Sequence, residues 1–338
     1  MNKFLPAGKL PPELMGSLFS GYEVNDPSVL IGPKVGEDAA VIDVGDSYLV
    51  AKTDPITFAT DEIGWYLVCI NSNDIACMGA NPRWLLVTAL LPENKTSQHD
   101  VENIFLQITR ACDQFGITLC GGHTEVTYGL DRPIIVGQML GQVDKDKLIT
   151  SSGAQVDDDI LLTKGIAIEA VSIIAREKED YLLERNYSPQ YIDRAKQYLK
   201  NPGISVLKDA LVAAKTGGVN AMHDPTEGGL ATGLHEIARC SDVGMIIWQS
   251  EIEVFPECQI LCHDFDLDIL GVIASGALLI VSKPECSNAI IKELSREGIK
   301  CLKIGKVLKP EAGVKMEKES EIIPLPVFGI DEITKVFA

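Results

Sequence analysis

Between Gly64 and Ile70 the chain reads Gly-Trp-Tyr-Leu-Val-Cys-Ile, which is apolar on every face of a helix. Such a helix has no side to offer water and must be enclosed by other elements. The pattern predicts a helix over 61–78, and the enclosed run leads straight into Asn71-Ser-Asn-Asp74. Buried polar groups cost stability unless they find partners. Asn71 and Asp74 stand three residues apart, so an amide and a carboxylate project from one helical face into the same space. A capped helix break is the bland alternative to a site.

Short apolar strands at 39–42 and 48–52 flank the Gly45-Asp46 turn, and after the helix come a strand at 84–91, a helix at 99–115 and strands at 117–120 and 133–143. A polar stretch at 144–159 marks a domain boundary. Beyond it the reading is strand 160–163, helix 167–175, a charged helical stretch 176–200 and helix 204–215. Strand 220–222, helix 229–240, strands 244–248 and 277–281, helix 285–297 and strand 302–307 complete it. This interleaving is the α/β (α+β) class, with an arm over 1–30, a first domain over 31–150 and a second over 151–338.

With 46% hydrophobic and 23% charged residues, the 338-residue chain has material for packed cores in a soluble globular protein. Its 30 basic and 48 acidic residues leave a net charge of −18, which repels polyanions and argues against nucleic acid or an anionic membrane as a partner. An anionic substrate then needs local help from a metal or a helix N-terminus. No stretch reaches the roughly 18 consecutive apolar residues of a membrane helix. The opening Met1-Asn-Lys-Phe-Leu-Pro is too short in apolar character for a signal segment, and nine scattered cysteines fit reduced thiols, so a cytoplasmic location is expected.

Two more carboxylates resemble Asp74 in setting. Asp38 lies at the glycine-led mouth of a strand in Gly36-Glu-Asp-Ala-Ala-Val41, and Asp54 is expected at a strand end in Lys52-Thr-Asp-Pro55. Each alone is more often a turn or cap residue. Three converging carboxylates make a hard, all-oxygen environment suited to Mg²⁺. Cys120-Gly-Gly-His-Thr-Glu125 follows a predicted strand, where paired glycines allow exposed amides to cradle an anion. His123 there reads equally as a site residue or a satisfied histidine. In Met222-His-Asp-Pro-Thr-Glu-Gly-Gly-Leu-Ala231, Asp224 or Thr226 can cap a helix whose Gly228 and Gly229 amides would lie open to phosphate; a tightly packed helix start is the alternative. The sequence has no Walker loop, dinucleotide fingerprint or serine-hydrolase elbow. Cys258-x-x-x-Cys262-His263 lacks a matching half for zinc.

Together these motifs resemble the superfamily named for aminoimidazole ribonucleotide synthetase (PurM-like), which includes thiamine-monophosphate kinase, selenophosphate synthetase and the hydrogenase maturation protein HypE. The stretches 36–41, 53–54 and 71–82 are similar to the first half of thiamine-monophosphate kinases, and 222–238 to the second half of HypE. The resemblance implies two α/β domains, a homodimer whose first-domain sheets form a barrel, and ATP with Mg²⁺ beside it. It implies that Asp38, Asp54 and Asp74 hold the metal, and that Asn71 and the Gly121-Gly122 turn contact nucleotide; Thr124, Gly228 and Gly229 complete the candidate nucleotide-binding set. Asp74, His123 and Asp224 are then the candidate catalytic groups. The implied chemistry is transfer of the ATP γ-phosphoryl group to an oxygen of a small-molecule or protein-borne acceptor. The chain departs from HypE in ending without a terminal cysteine, and from thiamine-monophosphate kinases in carrying His123 where they have an Asp. The expectation is therefore a HypE-like enzyme of unassigned acceptor, with thiamine-monophosphate kinase and a non-catalytic nucleotide-binding maturation partner as alternatives.

Overall fold

The computed structural model describes residues 12–33, 36–56, 59 and 61–337, together with 5, 8 and 10. The chain separates into two compact units. One comprises 26–32 and 38–148, and the other 149–338 with the described residues of 1–25 and 33–37.

In chain order the elements begin with α1 (Pro12–Phe19), which belongs to the larger unit. The smaller unit supplies β1 (Val29–Ile31), β2 (Ala40–Asp43), β3 (Ser47–Ile56), α2 (Ile63–Cys77), β4 (Asn81–Pro92), α3 (Gln98–Phe115), β5 (Thr118–Thr127) and β6 (Ile134–Asp144). Its sheet runs β1-β2-β3-β6-β4-β5, antiparallel except for the β4–β5 pair that α3 connects. All fifteen residues of α2 are buried, as a helix apolar on every side requires. It lies against β3 and β6 on one side and against α3 on the other.

The close seat of α2 depends on two glycines of β6. A Cβ at Gly137 would stand 2.5 Å from Asn71 Nδ2, and one at Gly141 would stand 2.3 Å from Ile75 Cγ2. Residues 137 and 141 share one face of the strand, and residues 71 and 75 are about one helical turn apart. The missing side chains therefore form a shallow trough that admits the helix. The amphipathic α3 closes the other side with Ile104, Ile108, Ala111 and Cys112, and Ser97 and Asp100 form its capping box.

Two strands outrun the sequence reading. β3 continues to Ile56, paired with β6 throughout, so Asp54 lies inside the strand rather than at its end. β5 continues through Gly121 and Gly122 to Thr127, so the paired glycines are strand residues and not a turn. Lack of a Cβ is what permits this: at Gly122 it would fall 1.8 Å from the Val87 carbonyl oxygen.

The larger unit continues with β7 (Asp159–Thr163), α4 (Ile168–Glu177), α5 (Glu179–Glu184), α6 (Pro189–Gln197), α7 (Leu207–Thr216), β8 (Val219–His223), α8 (Gly229–Ser241) and β9 (Gly244–Trp248). It ends with α9 (Pro256–Asp264), β10 (Leu279–Ser282), α10 (Pro284–Arg296), β11 (Cys301–Leu308), β12 (Val314–Lys318) and β13 (Glu321–Pro324). The sheet order is β13-β12-β9-β11-β7-β10-β8, with β9 and β12 the parallel pair. Ile160, Leu162, Leu234, Ile237, Met245 and Val307 belong to its core.

The stretch expected as one charged helix, 176–200, is divided. Asn186 takes a left-handed conformation, and Ser188 caps a new helix that starts at Pro189. The α9 helix and the β12–β13 hairpin were absent from the sequence reading. Only Cys258, Leu261 and Cys262 of α9 are buried, too narrow a stripe to announce a helix, and β12–β13 interrupts its apolar residues with Lys and Glu. No disulfide links the described residues, and no helix among them is long and apolar enough to cross a membrane.

Candidate functional site

The smaller unit gathers its acidic residues where β2 gives out. That strand pairs with β3 only from Tyr48 to Ala51, so among the described residues the rest of β3 has no strand neighbour on that side. Lys52 and Asp54, two residues apart on β3, share one face of the sheet. Asp74, on α2, meets them there, and Asp38 lies just ahead of β2. Lys52 Nζ lies 3.1 Å from Asp74 Oδ1 and 3.5 Å from Asp54 Oδ2, and Asp38 acts on the same ammonium through its charge. Asp38 and Asp74 are buried, whereas the Asp54 side chain keeps about a third of its surface exposed, at 34%.

Burial alone would drive the Lys52 ammonium toward neutrality. The fields of Asp74, Asp54 and Asp38, with the Asp74 hydrogen bond, outweigh that penalty and hold its pKa above the usual lysine value. The group is a fixed positive charge among three carboxylates.

Asn71 builds this site from beneath. The Asp54 backbone N–H donates to Asn71 Oδ1 at 3.1 Å, and Asn71 Nδ2 donates to the Asp54 carbonyl at 3.3 Å and to the Leu67 carbonyl at 2.9 Å. The amide, expected to contact nucleotide, is fully buried and takes up the backbone groups of Asp54 in place of a neighbouring strand. It fixes where the Asp54 carboxylate stands. Gly137, opposite Asp54 in the β3–β6 register, is the residue that leaves room for it.

Of the other expected residues, Gly121, Gly122, His123 and Thr124 lie on β5 of the same sheet, and Asp224, Gly228 and Gly229 belong to the larger unit. Asp54, Gly137, Val87 and Gly122 form one row across four strands, which sets Gly122 about 14 Å from Asp54 along the sheet. Gly121, Gly122, His123 and Thr124 are exposed on the edge strand β5, where His123 Nε2 pairs with Glu125 Oε2 at 3.0 Å. Asp224 belongs to the larger unit, buried directly after β8.

Gly228 and Gly229 also lie in that unit, and the amide at Gly228 is not open to phosphate. Its N–H donates to Asp331 Oδ2 at 2.6 Å, while the Ile273 and Ile333 N–H groups donate to Asp331 Oδ1 at 3.2 and 2.7 Å. The Gly229 N–H is taken by the Thr226 carbonyl. A carboxylate of the chain itself fills the position offered by the helix N-terminus. Burial pushes Asp331 up to about 6 despite the three N–H donors, with Glu227 adding to the rise. Burial likewise pushes Glu169 of α4 up to about 7, opposed by Ser275 and reinforced by Asp331 and Glu227. A surrounding this acidic is a poor receptor for a further anion.

Lys52 is a site-lining residue that the sequence reading does not single out. Its signal was the alternation Lys-Thr-Asp on a strand, which puts a cation and an anion on one face. The Asp54 and Asp74 oxygens, brought together at Lys52, are hard donors of the kind a divalent ion such as Mg²⁺ takes, and the carboxylate of Asp38, whose charge acts on the same ammonium, is of the same kind, so these residue types fit that ion.

Two family models cover most of the chain: AIR synthase related protein, N-terminal domain, matches residues 36–143, and the corresponding C-terminal domain matches 155–316. The chain belongs to the AIR synthase related family. Within this family it is 29% identical over 332 residues to a putative hydrogenase expression/formation protein of Methanocaldococcus jannaschii, covering 95% of each chain. It is also 29% identical to the carbamoyl dehydratase HypE of Cupriavidus necator, covering 80% of this chain and 74% of that one. Among solved structures, HypE in complex with ATP superposes with a TM-score of 0.72 at 22% identity, covering 95% and 96% of the two chains. Thiamine monophosphate kinase from Aquifex aeolicus superposes with a TM-score of 0.69 at 17% identity, covering 92% and 97%. The family thus accounts for the PurM-like, two-domain α/β architecture.

Proposed function

We infer that the protein is a Mg²⁺-dependent, ATP-using enzyme of the HypE-like group that transfers the γ-phosphoryl group of ATP to an oxygen of a small-molecule or protein-borne acceptor. The observation that carries this reading is the pairing of Asp54 and Asp74 with one ammonium in the smaller unit, on which the charge of Asp38 also acts. The likeness to an ATP complex of HypE and to AaThiL complexed with AMPPCP and TMP supports it. So does the relation to HypE enzymes and to a selenide, water dikinase of M. jannaschii, 26% identical over 339 residues.

Phosphoryl transfer asks a protein mainly for positioning and charge neutralisation. In this reading Asp38, Asp54 and Asp74 hold the divalent ion, which supplies neutralisation of the triphosphate. Asn71 orients Asp54 through its backbone, and Lys52 adds a second positive charge on the same strand. His123 and Asp224 remain candidates for the acceptor side, with Thr124 and the Gly121-Gly122 backbone as candidate nucleotide contacts. The exposed edge of β5 supports a homodimer that associates through this sheet, and the reading takes the enzyme to be cytoplasmic.

Calorimetry with Mg–ATP, followed by a screen for acceptor-dependent ADP release from cell metabolite fractions, tests the assignment. Nucleotide binding with ADP release in one fraction is the expected result. Formation of thiamine diphosphate would identify the thiamine-monophosphate kinase alternative. Tight binding with no ADP release in any fraction would favour the maturation-partner reading.

A further inference from the structure

The Lys52 ammonium is paired with two of the carboxylates assigned above to the divalent ion. Its contacts at 3.1 and 3.5 Å use one oxygen each of Asp74 and Asp54, two of the three carboxylates that would hold the metal. An ammonium and a divalent cation cannot share those oxygens without facing each other across a few ångströms of partly desolvated space, where like charges repel strongly. Nor is the lysine confined to that position. It hangs from an unbranched four-carbon stem and keeps 22% of its side chain exposed, so it can turn to another anion without any movement of β3.

We propose that Lys52 gates metal entry. In the nucleotide-free protein it is the resident counter-ion of the carboxylate cluster and keeps divalent ions out. A triphosphate offers the ammonium a new partner, which releases Asp54 and Asp74, so the metal enters together with the nucleotide and not ahead of it. The inference rests on the Mg–ATP reading above and assigns Lys52 a role in the order of binding.

The charge count agrees with this arrangement. Three carboxylates and one ammonium leave two negative charges near Asp54, and removal of the ammonium would leave three. Such a cluster would attract a divalent ion more strongly than it does with the ammonium in place. Lys52 lowers that intrinsic affinity and couples what remains to the presence of phosphate.

Mn²⁺ is a suitable probe because its free and bound forms separate by electron paramagnetic resonance. The full-length protein is titrated with Mn²⁺ alone and with Mn²⁺ plus a non-hydrolysable ATP analogue. Wild type is expected to bind Mn²⁺ alone at least tenfold more weakly than with the analogue. Lys52→Met should bind Mn²⁺ alone at least tenfold more tightly than wild type, and Lys52→Arg, which keeps the charge, should stay near wild type. Equal affinity of wild type and Lys52→Met for Mn²⁺ alone overturns the gate. So does tight binding to nucleotide-free wild type, a result that needs no variant to fold. Failure of wild type to bind Mn²⁺ even with the analogue overturns the Mg–ATP reading itself, and the gate with it.

Discussion

The seat of Asn71 makes a prediction whose size follows from distances. Gly137→Ala places a methyl carbon 2.5 Å from Asn71 Nδ2, 2.8 Å from its Cγ and 3.0 Å from its Oδ1. The amide cannot swing aside freely, because it is fully buried and bound to the Asp54 N–H, the Asp54 carbonyl and the Leu67 carbonyl. Overpacking of a buried site costs about 1–3 kcal/mol. Displacing the amide leaves buried backbone groups without partners, at about 1–3 kcal/mol each. A loss of about 3 kcal/mol in urea denaturation is therefore expected, with weaker Mg–ATP binding because Asp54 loses its support. Asn71→Ala alone should cost about 2 kcal/mol through the same backbone groups. The double variant decides the mechanism: without the Asn71 amide the new methyl has room, so the combined loss should fall short of the sum by at least about 1 kcal/mol. Strict additivity, or a Gly137→Ala protein within about 0.5 kcal/mol of wild type, would refute the reasoning.

Asp54→Asn and Asp74→Asn should each weaken Mg–ATP binding at least tenfold by calorimetry while the far-ultraviolet circular dichroism stays that of wild type; unchanged affinity in both counts against the metal-ligand assignment. Glu169, raised to about 7 from a usual 4.5, stabilises the fold fully below pH 4.5 as the neutral acid, and that contribution fades as pH rises through 7. About 3 kcal/mol is at stake between pH 5 and 9, so Glu169→Gln should flatten the stability profile measured by denaturation over that interval, and an unchanged slope would contradict the buried-acid account. Asp331→Ala should cost about 2–3 kcal/mol because the Gly228, Ile273 and Ile333 N–H groups lose their acceptor. Asp331→Asn, whose amide oxygen still accepts, should recover part of that loss in the same measurement.

Much of the architecture was legible from residue pattern. A helix apolar on all sides has to be enclosed, and alternating strands and helices have to layer, so α2 and the two α/β units followed from local chemistry. Segments with weak or contrary local signals were not legible. The glycine pair 121–122 reads as a turn, yet it is held in β5 by pairing with β4, because only a residue without a Cβ fits against Val87. The phosphate role expected for Gly228 failed for a similar reason: Asp331, over a hundred residues away in the chain, is its hydrogen-bond partner.

By itself the sequence determined which residues carry charge, which helix must be buried and which carboxylates were candidates for a common site, since these depend on side-chain chemistry and short-range periodicity. Only the tertiary structure decided that Lys52 pairs with Asp54 and Asp74, and that Asn71 holds Asp54 in the space left by Gly137. Those facts depend on strand register and on how closely α2 approaches β6. Both are set by contacts between residues distant in the chain, which no local pattern records.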